Sequence, residues 1–329
     1  MNMSNPQNGE VLVYIPCHTD FLHALSQVKR LREDFLAYSS KPDTPFKKLL
    51  IILSVNSFVP KLSETKMALE LCDEVIIYGD ALLADVNISQ GYLIALQRKP
   101  EIFWILSAND MLIEGSIVRA LQEMELNEKI DLIITCPSQD SQLRTLTDIN
   151  AVNGVISGVI YRTRRLLQFF NVAPFFPWTG WSQLTVVHAA LRFHQSLNAL
   201  FIDQSQIFLQ KERSLFVNGF NYAHSFSGDL IQRFLFSKND KERRSSLRNF
   251  VWTNFYRIHL YSTRDKHQDD RSILVDSKHY LSWNALISES LLRSYTPFSF
   301  LFYKVLQRIP FEKFLQYKFS RQVKTRIRW

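Results

Sequence analysis

Cysteine is scarce in this chain. Cys17, Cys72 and Cys136 are the only three in 329 residues, and they lie far apart. That argues against a disulfide framework and a zinc site, and for a reducing compartment. Glycine is sparse as well. None of the nine builds Gly-x-Gly-x-x-Gly or a Gly-Lys-Ser/Thr phosphate loop, so dinucleotide oxidoreductases and P-loop ATPases are disfavoured. No stretch reaches about 18 uninterrupted apolar residues, so no spanning helix is expected. The first ten residues are polar and lack the apolar centre of a signal peptide, which makes a cytoplasmic location the expectation. Net charge is missing from most of the chain. Of 39 Lys and Arg and 31 Asp and Glu, nine basic residues and one acid, Glu312, fall after residue 292, leaving 30 of each before it. The excess of +8 therefore belongs to the C-terminal segment. A nucleic-acid enzyme more often spreads positive charge over its main body, so no nucleic-acid partner is expected.

Hydrophobic residues make up 46 %, enough for a large core in one domain or two. Short apolar runs alternate with helical spacing. Val11–Ile15, Leu49–Leu53, Glu74–Tyr78, Phe103–Leu106 and Asp131–Cys136 read as strands. Phe21–Phe35, Lys66–Cys72, Asn87–Gln97 and Ile117–Met124 read as helices. This alternation predicts an α/β fold, a mostly parallel sheet flanked by helices. After Pro137 the pattern changes. Ser138–Asn150 reads as a loop, Val155–Tyr161 as a strand, Arg164–Phe170 as a helix, Leu184–Arg192 as a helix and Leu200–Phe208 as one strand. From about Asp229 the chain reads as helical and increasingly basic. The expected division is 1–228 and 229–329.

The most informative segment is Phe103–Leu112, where an apolar run ends in Ser107-Ala108-Asn109-Asp110. Ligands of open α/β sheets bind outside the carboxyl ends of the strands. Asp110 there either holds a hard divalent cation through its carboxylate or caps the helix that follows.

In order and spacing, these pieces resemble the GT-A fold of glycosyltransferases, specifically the inverting group called family two. The resemblance covers about residues 11–210. It rests on Val11–Asp20 with Pro16 closing the first strand, on Leu50–Ser57, and on Asn87-Ile-Ser-Gln-Gly91 opening a helix. It continues through Ser107–Asp110 and Ser157-Gly158-Val-Ile-Tyr-Arg162. The resemblance implies transfer of a sugar from a nucleotide-sugar to a hydroxyl of a glycan acceptor, with Mn²⁺ or Mg²⁺ as cofactor. It implies donor binding by Pro16, His18, Thr19, Ser54, Asn56, Asn87 and Asn109, and a metal at Asp110. Two places depart from the family pattern. Ser54 stands where the base-binding Asp is usual, and Trp181-Ser182-Gln183 lacks the usual catalytic carboxylate. His188 is then the candidate base, or else a core residue of an apolar helix. Trp178 and Trp181 either stack on the acceptor sugar or anchor their loop. The departures leave a second reading open, a catalytically impaired sugar-nucleotide-binding or scaffolding protein.

Phe311, Leu315, Phe319, Val323 and Ile327 recur every four residues, with Lys313, Arg321, Lys324 and Arg328 on the other side of a helix. Such a basic amphipathic helix suits an anionic membrane surface. Packing against the catalytic domain also explains the stripe. Together with the family resemblance, the tail suggests a lipid-linked acceptor, bacterial surface-polysaccharide assembly and a peripheral position on the inner face of the plasma membrane.

Overall fold

The structure is a computed structural model. It describes residues 7–18, 20–56, 58–78, 84–136, 141–147, 156–175, 182–210, 230–253, 287 and 290–308. The chain divides into two compact units, Met1–Leu215 and Phe216–Trp329. The expected boundary at 228 falls within 211–229, outside the described residues, as does the amphipathic tail from 309 onward.

The first unit starts with β1 (Gln7–Cys17), α1 (Phe21–Ser39), β2 (Lys48–Val55), α2 (Leu62–Leu71) and β3 (Glu74–Ile77). It continues with α3 (Ala84–Arg98), β4 (Pro100–Ile105), β5 (Asp110–Leu112), α4 (Ser116–Leu126) and β6 (Leu132–Cys136). Then follow β7 (Gln142–Leu146), β8 (Val159–Arg162), α5 (Ser182–His194), β9 (Leu197–Asp203) and β10 (Phe208–Gln210). Eight strands form one sheet in the order β3-β2-β1-β4-β8-β6-β9-β7. Strands β3, β2, β1 and β4 run parallel, β8 runs antiparallel between β4 and β6, and β9 is parallel to β6. The expectation of a mostly parallel sheet holds.

Strand β1 shows why its sequence is continuously apolar. Val11, Val13, Ile15 and Cys17 enter the core shared with α1 and α4, while Leu12 and Tyr14 enter the core on the other face, under α3 and α5. A strand covered on both faces needs apolar residues at every position rather than at alternate ones. On the second face, Tyr92, Phe103, Tyr161 and Phe170 form an aromatic cluster with ring centroids 5.2–6.1 Å apart. The buried hydroxyls of Tyr92 and Tyr161 bond each other at 2.9 Å, so neither is left unsatisfied.

Four expectations change. Residues 138–150 are not all loop, because Gln142–Leu146 is the edge strand β7, antiparallel to β9. Its side chains are exposed up to Leu146, so the core imposes no apolar pattern on it. The strand expected at Val155–Tyr161 starts only at Val159, after a 3₁₀ turn at Ile156–Gly158. Residues 164–170 form 3₁₀ turns rather than an α-helix. Leu200–Phe208 splits into β9 and β10 around a 3₁₀ turn at Gln204–Gln206, where Asp203 accepts from the Ser205 amide.

The second unit contains a helix at 230–236, α6 (Asp240–Thr253), a helix at 290–295 and α7 (Pro297–Arg308). Its core is Leu230, Leu247, Val251 and Leu292, with Phe234, Leu291, Tyr295, Phe300 and Phe302 packed against it. The charged run Lys238–Arg244 opens α6. Asn239 Oδ1 accepts from the Glu242 amide at 2.9 Å and Glu242 Oε2 from the Lys238 amide at 2.6 Å, a reciprocal cap.

Candidate functional site

The carboxyl ends of β1, β2 and β4 form one edge of the sheet. Pro16 pairs in register with Ser54, beyond the last β1–β4 partners, Tyr14 and Ile105. Ring closure costs Pro16 its amide just past the last β1–β4 partners, while its carbonyl still accepts from the Ala108 amide at 3.4 Å. The chain leaves β1 at His18, and the Asn56 amide bonds the Cys17 carbonyl at 2.8 Å, holding the exits of β1 and β2 side by side. Asn56 Nδ2 lies 3.1 Å from His18 Nδ1. Donation from that amide makes Nδ1 the acceptor and leaves the ring proton on Nε2.

Burial lowers the His18 pKa below its ordinary 6.5. As pH falls through about 6.5, the unfolded chain takes up the proton first. The stability contributed by neutral His18 is complete above that value and is lost as pH falls through the lower folded pKa. His18→Gln is expected to flatten this part of the stability profile, read by urea denaturation at pH 7.5 and pH 5.

Ser54 and Asn87, both expected to bind the donor, meet inside the fold. Asn87 Oδ1 accepts from Ser54 Oγ and from Tyr14 Oη, each at 2.6 Å, and all three side chains are fully buried. Asn87 and Gly91 stand one turn apart on α3. A Cβ at Gly91 would lie 2.6 Å from Tyr14 Cδ1, so the glycine lets α3 settle onto the Tyr14 ring. Ser54 thus ties β2 to α3 beneath the edge, and a hydroxyl suffices because its acceptor is the Asn87 amide oxygen.

The turn Ser107–Asp110 is held from several sides. The Asp110 amide bonds the Ser107 carbonyl at 3.1 Å, and the Asn109 amide bonds Ser107 Oγ at 3.4 Å. Ser157 Oγ accepts from the Ser107 amide at 2.8 Å and donates to Asp110 Oδ2 at 2.6 Å. Asp110 is 1 % exposed. Its backbone sits in β5, which pairs with β10 on one side. On the other side Gln27 takes the place of a strand. Its Nε2 donates to the Asp110 carbonyl, and its Oε1 accepts from the Leu112 amide at 3.0 Å. His23 Nε2 lies 3.3 Å from the same Asp110 carbonyl.

Neither role expected of Asp110 matches this geometry. It does not cap α4, whose N-cap is Gly115. Nor does the carboxylate, buried and engaged by Ser157, fit a cation ligand as it stands. Among the described residues, no three His, Cys, Asp or Glu side chains gather as a metal site. Asn109, one residue earlier, is half-exposed and presents a neutral amide.

His188 is 7 % exposed and shares a stripe of α5 with Leu184, Val187 and Leu191. The other histidine of that helix, His194, bonds the Arg165 carbonyl at 3.0 Å near the amino end of β9, at the opposite edge of the sheet. Thr19, Trp178 and Trp181 lie outside the described residues. Gln27 and Ser157 build the site; no sequence expectation fell on Gln27, and Ser157 stood only as the start of the Ser157–Arg162 motif. Gln27 carries a usable signal, a polar residue on the apolar face of α1 between Ala24, Val28 and Leu31.

Sheet order, flanking helices and a helical C-terminal extension define a GT-A-like α/β fold. Residues 1–349 of S. aureus TarS in complex with UDP-GlcNAc share it, with a TM-score of 0.57 at 10 % identity over 97 % of this chain and 93 % of that one. The same fragment in complex with UDP gives 0.53 at 11 % identity with the same coverage. No protein-family profile matches the sequence, and no curated protein matches it significantly.

Proposed function

We propose that this chain is an inverting glycosyltransferase, moving a sugar from a nucleotide-sugar to a hydroxyl of a lipid-linked glycan in cell-surface polysaccharide assembly. The observation that carries the reading is the fold shared with TarS in complex with UDP-GlcNAc over 97 % of this chain. At the strand edge where α/β folds take ligands, His18 and Asn109 supply neutral hydrogen-bonding groups, with the fully buried Asn56 holding His18 from behind. Pro16 and Thr19 complete the proposed nucleotide contacts, and Trp178 and Trp181 the acceptor side. Ser54 and Asn87 serve as the layer beneath, fixing β2 and α3.

In the proposed reaction the acceptor oxygen attacks the anomeric carbon while the bond to the nucleoside diphosphate breaks. The leaving group keeps the electron pair, and the acceptor proton passes to a base. His188 is the base candidate. His188→Gln is expected to lower transfer by about 10²–10⁴-fold with nucleotide affinity unchanged if the imidazole takes that proton. A purely packing role lowers stability and leaves the rate per folded molecule alone. A divalent cation at Asp110 would require the carboxylate to leave Ser157 and turn out of the interior, and no step here runs through one.

The direct test is nucleoside diphosphate release from a panel of UDP-, GDP- and dTDP-sugars, with and without membrane-extracted acceptor lipid. Release with one donor supports the reading. Trp181-Ser182-Gln183, without a carboxylate, favours the second reading, a sugar-nucleotide-binding scaffold. Tight binding of a donor without turnover selects it.

A further inference from the structure

Helix α7 buries one side and leaves an apolar stripe on another. Ser299 is buried, and Phe300 and Phe302 pack against the core of the second unit. Phe298, Leu301 and Val305 are instead 85 %, 60 % and 58 % exposed. At about 100° per residue, these three fall within about 60° of one another around the helix. The same rotation sets Lys304 along one flank of the stripe. Pro297 begins the helix at the position where its missing amide costs nothing. Three large apolar groups aligned on one helix face form a continuous exposed stripe rather than scattered exposure.

We infer that this stripe is a membrane-docking face, with an anionic bilayer surface as its occupant. Charge favours that partner. Nine Lys and Arg against one Glu fall between Arg293 and Trp329, in the same stretch of chain as the stripe, while residues 1–292 carry no net charge. An apolar face flanked by cations inserts between headgroups and attracts acidic lipid together. No described helix is long and apolar enough to cross a membrane, so the contact is interfacial. This deepens the lipid-linked-acceptor reading by giving the described part of the chain an apolar contact with the lipid phase, next to residues 311–329, which hold six of the nine cations.

The test uses the full chain and sedimentation with vesicles of phosphatidylcholine alone or with one-quarter phosphatidylglycerol. Binding is expected to the anionic vesicles only and to weaken in high salt. The triple variant Phe298→Ser, Leu301→Ser, Val305→Ser is expected to bind at least about tenfold more weakly, with an unchanged circular-dichroism spectrum, because none of the three side chains is buried. Nucleotide binding by that variant is expected to match the parent, which separates failure of the membrane face from failure of the sugar-transfer reading. Undiminished vesicle binding by the variant overturns the inference. So does a concentration-dependent dimer that the variant abolishes in a chain with no affinity for vesicles, because the occupant is then a second copy.

Discussion

Asp110→Ala is expected to destabilise the fold by about 2–4 kcal/mol, measured by urea denaturation without nucleotide or metal. The cost has two sources. A hydrogen bond contributes about 0.5–1.5 kcal/mol, and a buried hydroxyl left without its acceptor adds about 1–3 kcal/mol. Both fall on the 2.6 Å bond from Ser157 Oγ, which also receives the Ser107 amide. Asp110→Asn keeps an acceptor oxygen in place and is expected to cost about half as much. An Asp110 that worked only as an exposed cation ligand gives the reverse pattern. The alanine variant then unfolds at the parental urea concentration and loses Mn²⁺-dependent nucleotide affinity. With the carboxylate committed to Ser157, nucleotide affinity is expected to be the same in EDTA and in Mn²⁺.

The second large effect is expected at Gly91. In Gly91→Val the new Cβ would meet Tyr14 Cδ1 at 2.6 Å and Cγ at 2.8 Å. The ring has little freedom to retreat. It is fully buried on β1, an interior strand, and its hydroxyl donates to Asn87 Oδ1 at 2.6 Å and lies 3.0 Å from the Asn87 carbonyl. Overpacking of this kind costs about 3 kcal/mol. A helix interior normally gains about 1 kcal/mol when glycine becomes alanine. Gly91→Ala is expected to destabilise despite that gain, because the contact begins at Cβ. Nucleotide affinity is expected to fall with stability in both variants, since α3 and Ser54 underlie the edge of β2.

The fold was legible where burial dictated composition. Strands β1, β2, β4 and β6, covered on both faces, could be read from unbroken apolar runs, and α1 and α4 from helical spacing. Strand β7 was hidden because its exposed side chains answer to no core. The three-residue strands β5 and β10 were hidden because pairing, not pattern, makes them strands. The site was legible as a place and less so as chemistry. The turn Ser107–Asp110 was found at the carboxyl end of β4, as expected. What Asp110 does depends on Ser157, 47 residues further on, and what Ser54 does depends on Asn87, 33 residues on. An acid that serves a ligand and an acid that serves a neighbouring serine look alike in sequence. Only the fold brings the partner into view.

The central claim is that the shared edge of β1, β2 and β4 receives a nucleotide-sugar. Isothermal titration of UDP, GDP, CDP and dTDP into the full chain tests it most directly, repeated with His18→Ala and Asn109→Ala. One nucleotide is expected to bind, and each substitution to weaken that binding by about tenfold, the worth of one hydrogen bond at the strong end of the range. Absence of binding by all four, or binding indifferent to both substitutions, contradicts it.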